Sequence, residues 1–245
     1  MALDYDNPDG IRLNKYLASC GVGSRRACDA MVQDGEVIVN GEFCLKPSYR
    51  VQPDDQIRAS GKRIEPLGVQ SIVLHKPTGL VCTRKDEHQR DTIYTLLPGR
   101  MQHLMHVGRL DRDSEGLIIL SNDGELSQAL THPKHKIPKL YHVTLDQAFD
   151  NDVMTKLEEG VYIESGKAKA EKIIRLSPRR LSMVLTTGMK RQIRYMVQAL
   201  HFRVKRLVRL EIGPLQLGDL RPGKWRPLRD EEREALLEAA RPKRK

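Results

Sequence analysis

Apolar residues recur at helical spacing near the amino end of the chain. Between residues 11 and 20, three of them fall on one helical face, namely Leu13, Tyr16 and Leu17. Gly21-Val22-Gly23 then predicts the end of that helix, and Ser24 is placed to cap a second one. The second helix begins with Arg25-Arg26 and should end near Asp34-Gly35. Two short helices are therefore expected at the start of the chain.

A β-branched run, Val37-Ile38-Val39, follows the second helix and leads directly into Asn40-Gly41. This dipeptide is the strongest two-residue signal for a hairpin turn. Short strands joined by tight turns continue to residue 60. Residues 61–70 combine glycine, proline and charge with little periodicity, which is typical of a linker. The pattern predicts a small module at residues 11–60 and a linker at residues 61–70.

A larger domain is expected from residue 71 to residue 240. Its apolar pattern predicts strands near 72–74, 80–83, 117–120, 141–145, 168–176, 181–186, 207–212 and 215–217. The predicted helices are fewer and lie at 92–97, 125–130, 151–159, 191–200 and 229–240. Because strands and helices do not alternate regularly, we expect an α+β domain built on a mixed, largely antiparallel sheet with flanking helices. The basic residues 241–245 form a tail that either adds nonspecific affinity for nucleic acid or only aids solubility.

Charge adds a first indication of the partner. The chain has 42 Lys and Arg against 32 Asp and Glu, a formal net charge of +10. This excess favours a polyanion, with nucleic acid first, although a basic surface without a partner remains the alternative. The four cysteines lack the spacing of a zinc site and the density of a disulfide scaffold, so we expect them to be reduced. With no membrane-length apolar run and no signal-peptide pattern, we expect a cytoplasmic protein that does not bind membranes.

The segment most informative about function is Gly108-Arg109-Leu110-Asp111-Arg112-Asp113-Ser114-Glu115-Gly116-Leu117. It is a short acidic turn in front of an apolar strand, and loops held by a rigid scaffold commonly carry chemistry. A carboxylate such as Asp111 can act as a base, a nucleophile, a metal ligand or half of a structural ion pair. Arg109 and the arginines at the start of the predicted helix 191–200 would keep an enclosed carboxylate ionised. The sequence therefore favours a reactive role for Asp111.

Two parts of the chain resemble known families. Arg12-Leu13-Asn14-Lys15-Tyr16-Leu17, Ser24-Arg25-Arg26 and Val37-Ile38-Val39-Asn40-Gly41 resemble the alpha-L RNA-binding module, first known from a small-subunit ribosomal protein. The acidic segment, Lys139-Leu140-Tyr141, and Gly188 with Arg191-Gln192-Ile193-Arg194 resemble the RsuA family of ribosomal RNA pseudouridine synthases. This second resemblance runs from about residue 72 to residue 228.

The second resemblance implies an isomerase that detaches uracil from its ribose, turns the base and rejoins it through carbon, without cofactor or metal. It implies that Asp111 is the essential carboxylate, whether it attacks the ring or the anomeric carbon or takes a ribose proton. Tyr141 would stack on the uracil and serve in proton transfer. Arg194 would pair with Asp111, and Ile193 would pack against the base.

The same resemblance implies contacts with RNA outside the base. Arg109 would fill the space left when the target nucleotide leaves its helix, which offsets part of the cost of base flipping. Lys190 and Arg191 hold phosphates or are merely solvated, and the same two alternatives apply to Arg25 and Arg26. Tyr195 stands where many family members have a second arginine, so one expected backbone contact is in doubt.

The expected partner is ribosomal RNA, with the large subunit favoured, bound by a monomer within a pre-ribosomal particle. Two other functions compete with this one: a noncatalytic RNA-binding assembly factor, and a metal-dependent glycosyltransferase. The glycosyltransferase alternative arises because Asp111-Arg112-Asp113 fits an Asp-x-Asp metal-binding pattern. The intervening arginine and the basic chain disfavour a cation site, so Asp113 and Ser114 are interpreted as turn-stabilising residues.

Overall fold

The computed structural model describes residues 10–84 and 86–241. The chain divides into two compact units, the first comprising residues up to 70 together with 99–105, and the second residues 71–98 together with those from 106 onward. Of the predicted tail at 241–245, all but Arg241 lies outside the described residues. Within the described ranges, no helix is long and apolar enough to cross a membrane.

The first unit contains the two predicted helices and a small sheet. Its elements are β1 (Ile11–Arg12), α1 (Leu13–Ser19), α2 (Arg25–Gln33), β2 (Val37–Val39), β3 (Glu42–Phe43), β4 (Arg50–Val51), β5 (Ile57–Ala59) and β6 (Lys62–Arg63). Ser24 caps α2 as expected, since its side chain accepts a hydrogen bond from the Ala27 N–H at 3.2 Å. The predicted face of α1 is buried against α2 and the sheet.

The sheet of the first unit extends beyond the boundary that the sequence predicts. β3, β2, β5 and β6 lie side by side in that order, and β6 falls within residues 61–70, which were expected to be linker. The reason is a second tight turn at Ser60-Gly61, where both residues have positive φ, 47° and 77°. This is the backbone of a two-residue hairpin, as at Asn40-Gly41, and it returns the chain to the sheet.

The second unit is built on a nine-stranded sheet. Its strands are β7 (Ser71–Lys76), β8 (Met105–Val107), β9 (Glu115–Ser121), β10 (Lys139–Leu145), β13 (Lys172–Ser177), β14 (Arg180–Leu185), β15 (Val204–Ile212), β16 (Leu215–Gln216) and β17 (Trp225–Pro227), while β11 (Val161–Ile163) and β12 (Gly166–Ala168) form a separate hairpin. The order is β13-β14-β10-β15-β9-β7-β17, with β8 on β9 and β16 on β15.

The prediction of an α+β domain on a mixed, largely antiparallel sheet is confirmed. The pairing of β9 with β15 is parallel, whereas the other pairs in the order β13-β14-β10-β15-β9-β7-β17 are antiparallel. The helices of this unit are α3 (Gly124–Thr131), α4 (Asn151–Glu159), α5 (Gln192–Gln198) and α6 (Asp230–Ala240). Leu126 of α3 and Leu236 of α6 are fully buried in one apolar cluster with Leu117 and Ile119 of β9. The sheet thus gives rigid support to the turn that precedes β9.

The predicted strand at residues 80–83 is wrong. In its place, Val81 forms an isolated bridge with Thr92. The Val81 N–H donates to the Asp91 carbonyl, and the Val81 carbonyl accepts from the Ile93 N–H, both at 3.0 Å. Both edges of β7 are occupied by β9 and β17, so a hairpin partner at 80–83 has no free edge to join.

Candidate active site

A cleft of about 810 Å³ opens in the second unit beside the acidic turn. Six of the residues singled out from the sequence line it: Arg109, Asp111, Tyr141, Lys190, Arg191 and Ile193. They come from the turn before β9, from β10 and from the start of α5. The fold therefore brings together three segments that are far apart in the sequence.

Asp111 lies in the acidic turn with its side chain partly exposed to the cleft. The turn is closed by the Ser114 N–H, which donates to the Asp111 carbonyl at 3.1 Å. Within residues 10–84 and 86–241, no side chain or main-chain group hydrogen-bonds to the Asp111 carboxylate. A half-buried carboxylate without a protein partner is available to a ligand, whereas a structural carboxylate would be saturated with donors.

Lys76 holds this turn from beneath. It is the last residue of β7 and is fully buried, and its ammonium group donates to three carbonyl oxygens: Pro77 at 3.0 Å, Arg112 at 3.3 Å and Ser114 at 2.7 Å. Burial lowers the pKa of Lys76, while the charges of Cys82, Asp111 and Asp113 act in the opposite direction. A buried cation is costly unless it is fully hydrogen-bonded, as this one is.

Arg194 contacts the same turn, but through a different group from the one expected. Its Nη2 donates to the Asp113 carbonyl at 2.9 Å and lies 3.4 Å from the Ser114 hydroxyl. Across the described part of the chain, no ion pair joins Arg194 to Asp111, so the predicted direct pairing is absent from this structure. Burial lowers the pKa of Arg194, and the negative charges of Asp113 and Asp111 partly counter that effect. The guanidinium thus fixes the turn and contributes positive charge near Asp111.

Arg209 is a third cation on the turn. It is buried in β15 directly across from Tyr141 of β10. Its Nε donates to the Leu117 carbonyl at 2.8 Å, and its Nη1 donates to the Arg109 carbonyl at 3.4 Å. Together with Lys76 and Arg194, it occupies main-chain oxygens along residues 109–117. The position of Asp111 is therefore set by cations bound to the backbone around it.

The start of α5 carries the remaining residues of the cleft wall. Ile193 is buried, whereas Lys190 is exposed. Arg191 has a left-handed backbone (φ 51°), and its side chain lies 3.6 Å from the Asp113 carboxylate. The buried Gln192 stabilises this bend, because its Oε1 accepts from the Met189 N–H at 3.1 Å. Backbone strain of this kind is tolerated where surrounding contacts fix it, and it is common at functional sites.

Arg25 and Arg26 lie in the first unit and do not line the cleft. Both are exposed in the first turn of α2. Their side chains are free to reach an anionic ligand, in keeping with a role in binding away from the chemistry.

Four residues of the site were not predicted from the sequence: Lys76, Arg209, Gln192 and Lys139. A signal for the first two was present, because each is a cation that adjoins a run of apolar strand residues. Lys76 ends the run Ile72-Val73-Leu74-His75, and Arg209 interrupts Leu207-Val208-Leu210. Charged residues at such positions are rarely buried without a specific partner, so this pattern indicates a structural or functional role.

The lowered pKa of Lys139, in the cleft wall, can be tested. Lys139 begins β10, lines the cleft, and donates from Nζ to the Ile137 carbonyl at 2.8 Å. Burial, and to a lesser extent the charge of Arg209, lowers the pKa of Lys139 to about 8. The folded state therefore binds this proton less tightly than the unfolded chain does. Its destabilising effect is complete below pH 8 and disappears as the pH rises toward the ordinary lysine value of 10.5.

We expect Lys139→Met to be more stable than the wild type at pH 7, by about 1–2 kcal/mol after allowance for partial solvent screening. The advantage should shrink by pH 9.5, because the wild-type lysine is then largely neutral. Urea unfolding at the two pH values measures both differences. Lys172→Met, at an exposed position in β13, is the control and should show the same difference from wild type at both pH values. A pH-independent advantage for Lys139→Met would contradict the assignment.

Comparison with known proteins identifies the architecture. Residues 70–199 match the family model for RNA pseudouridylate synthase, and residues 11–57 match that for the S4 domain. An uncharacterized RNA pseudouridine synthase of Aquifex aeolicus is 35% identical over 94% of both chains. The ribosomal large subunit pseudouridine synthase B of Bacillus subtilis is 33% identical, over 90% of this chain and 93% of its own.

A solved structure agrees with these sequence relatives. A crystal structure of a pseudouridylate synthase superposes with a TM-score of 0.68 at 29% identity, covering 93% of this chain and all of the other. The two family matches fall in the two compact units, with the acidic turn, Tyr141 and α5 inside the first of the matched ranges. The chain belongs to the RNA pseudouridine synthases, the isomerases that convert uridine to pseudouridine, and it carries an S4 domain at its amino end.

Proposed function

We propose that this protein isomerises uridine in ribosomal RNA of the large subunit, with Asp111 as the catalytic carboxylate. The observation that carries the proposal is the Asp111 side chain itself: it faces a cleft without a protein hydrogen-bond partner among the described residues, on a turn held by Lys76 and Arg194. The name of the Bacillus subtilis relative supports the large subunit as the source of the substrate.

The reaction breaks the bond between N1 of uracil and C1′ of ribose and forms a bond between C5 and C1′. The C5 proton is lost to solvent, and N1 gains a proton, so there is no net oxidation or reduction. No group has to be supplied from outside. The chain's task is to hold uracil after cleavage, stabilise the charge that develops on the ribose and the base, and move one proton.

Three side chains are proposed to act with Asp111. Tyr141 lies on β10 in the cleft wall and offers a flat ring for the uracil and a phenol for proton transfer. Ile193 is proposed to supply an apolar surface against which the uracil packs. Arg194 acts by fixing residues 113 and 114 and by placing positive charge near the carboxylate.

A uridine inside a helix has to leave the base stack to enter this cleft. Arg109 is exposed beside Asp111, and its carbonyl is anchored by Arg209. We propose that its guanidinium occupies the gap left by the flipped nucleotide and offsets part of the few kcal/mol that flipping costs. Lys139, Lys190 and Arg191 are among the cations that line the cleft and could hold phosphate oxygens.

Arg25 and Arg26 are proposed to hold RNA at a distance from the chemistry. We expect the double variant Arg25→Ala, Arg26→Ala to bind ribosomal RNA transcripts more weakly and to lower the slope of log K against log salt by about 2, since two phosphate contacts are lost. The rate of the chemical step on saturating RNA should be unchanged. Filter binding across a salt series and single-turnover assays measure the two effects.

The matched control removes the same charge elsewhere. Lys169 and Lys172 are exposed and do not line the cleft, so Lys169→Ala, Lys172→Ala should leave the slope nearly intact. Equal slopes for the two double variants would show that Arg25 and Arg26 contribute only general charge.

The activity is tested with transcripts that carry tritium at C5 of uridine. Release of tritium from large-subunit transcripts, with many turnovers per protein molecule, is the expected result. Binding without turnover would instead support a noncatalytic assembly factor. Pseudouridine mapping in ribosomal RNA from cells with and without the protein identifies the position. We also propose that the protein is a cytoplasmic monomer that acts on a pre-ribosomal particle. Tritium release from particles isolated during assembly, compared with release from free transcripts, tests the nature of the substrate.

A further inference from the structure

The outer face of the small sheet in the first unit is not used by the function proposed so far. The opposite face packs on the core of that unit, where Val37, Val39, Ile57 and Ala59 are all buried. Side chains alternate between the two faces along each strand. Ile38 of β2 and Arg58 of β5 therefore point away from the core.

Strand register places four side chains of the outer face in one row. Phe43 of β3 is paired with Ile38, Ile38 with Arg58, and Arg58 with Arg63 of β6. With neighbouring strands about 4.8 Å apart, the row spans roughly 14 Å. It presents an aromatic ring at one end, an aliphatic side chain beside it, and two guanidinium groups at the other end.

The exposure and pairing of these residues leave the row open to a ligand. Phe43 is 72% exposed, the second-highest value among the large exposed apolar side chains. Among the described residues Arg58 has no ion pair, and Arg63 pairs with Glu65 at 3.4 Å, with side-chain exposures of 65% and 73%. Such an exposed pair contributes little and exchanges readily for a phosphate. Glu42, next to Phe43, pairs with Val39 and so belongs to the other face of the strand.

An aromatic ring in line with two arginines on an open sheet face matches the chemistry of single-stranded nucleic acid. A base stacks on the ring, and the phosphates beside it meet the guanidinium groups. Paired RNA does not offer the flat face of an internal base, because that face is covered by its neighbours in the stack.

We propose that the Phe43–Ile38–Arg58–Arg63 row binds a single-stranded segment of the RNA substrate, with one base stacked on Phe43 and phosphates held by Arg58 and Arg63. This inference rests on the proposed function for its RNA partner. It adds a second contact surface to the first unit, on a different element from Arg25 and Arg26, and it adds a preference for unpaired nucleotides.

The test compares a labelled oligouridine with a fully paired RNA duplex of the same length, each bound to the full chain. We expect Phe43→Ala and Phe43→Leu to weaken oligouridine binding by about tenfold, because both lose the stacking ring, with little change for the duplex. Phe43→Trp should retain affinity. Its added fluorescence, measured against the single native tryptophan, should be quenched by oligouridine. Arg58→Ala should lower the salt slope by about 1.

The control is Leu45→Ala, which removes a side chain that is 60% exposed two positions further along the chain and should leave both affinities unchanged. The proposal is overturned if Phe43→Ala leaves oligouridine binding intact, as docking of a protein on this face would require. It is also overturned if Phe43→Ala weakens duplex binding equally, or if Leu45→Ala has the same effect. Tritium release by the wild type is measured separately, so a failure of the isomerase assignment is distinguishable from a failure of this one.

Discussion

Asp111→Asn is expected to reduce the rate of tritium release from C5-labelled transcripts by about 10³-fold or more. Loss of a positioned acid or base typically lowers the rate by about 10²- to 10⁴-fold. The amide keeps the shape of the side chain but removes the charge and the capacity to accept a proton or form a covalent bond. Because the carboxylate has no hydrogen-bond partner among the described residues, the fold should lose little stability. RNA affinity should survive, so single-turnover rates at saturating enzyme measure the chemical step alone.

Asp113→Asn is the matched control, two residues along the same turn. The Asp113 side chain is mostly exposed and pairs only loosely with Arg191 at 3.6 Å, while its carbonyl keeps the contact with Arg194 whichever side chain is present. This variant should retain most of the activity. Substantial isomerisation by Asp111→Asn, or an equal loss in both variants, would remove Asp111 from the catalytic role.

Gly116→Ala is expected to destabilise the second unit by roughly 3–5 kcal/mol, because overpacking and strain at a positive φ add, and the melting temperature should fall by roughly 6–20 °C. Gly116 has φ of +114° and sits where β9 meets β15 in the parallel pair, directly across from Arg209. A Cβ there would lie 2.2 Å from the Arg209 carbonyl oxygen and 2.6 Å from its nitrogen. The Arg209 backbone cannot move aside as a flexible side chain would, so β9 and β15 would have to separate.

Gly124→Ala is the control for this substitution. Gly124 opens α3, has nothing within 4 Å of an added Cβ, and is not among the glycines with positive φ. Alanine in a helix should leave stability unchanged or raise it by about 0.5–1 kcal/mol. Thermal unfolding followed by circular dichroism compares the two variants, and a Gly116→Ala protein that melts within 2–3 °C of wild type would contradict the steric argument. Arg209 also anchors the carbonyls of Arg109 and Leu117, so any folded Gly116→Ala protein should lose activity as well.

The sequence predicted the parts of the fold that depend on neighbouring residues. Ser24 caps α2, Asn40-Gly41 makes a hairpin, and the apolar face of α1 is buried as expected. The linker predicted at 61–70 begins too early, because the turn at Ser60-Gly61 returns the chain to the sheet as β6. The strand predicted at 80–83 was wrong, because β9 and β17 occupy both edges of β7. Edge occupancy is a property of the whole sheet and is not written in a short window of residues.

The sequence by itself also located the carboxylate that we propose as catalytic, because Asp111 and the turn that carries it are contiguous in the chain. The tertiary structure alone decided how that carboxylate is held. Lys76 and Arg209 reach the turn from strands 36 to 100 residues away, and Arg194 binds the backbone of the turn in place of the Asp111 carboxylate. These contacts depend on strand register, in which a shift of one residue turns every side chain to the other face. Local sequence specifies the turn and the side chains in it, and the packing of distant strands specifies the charges around it.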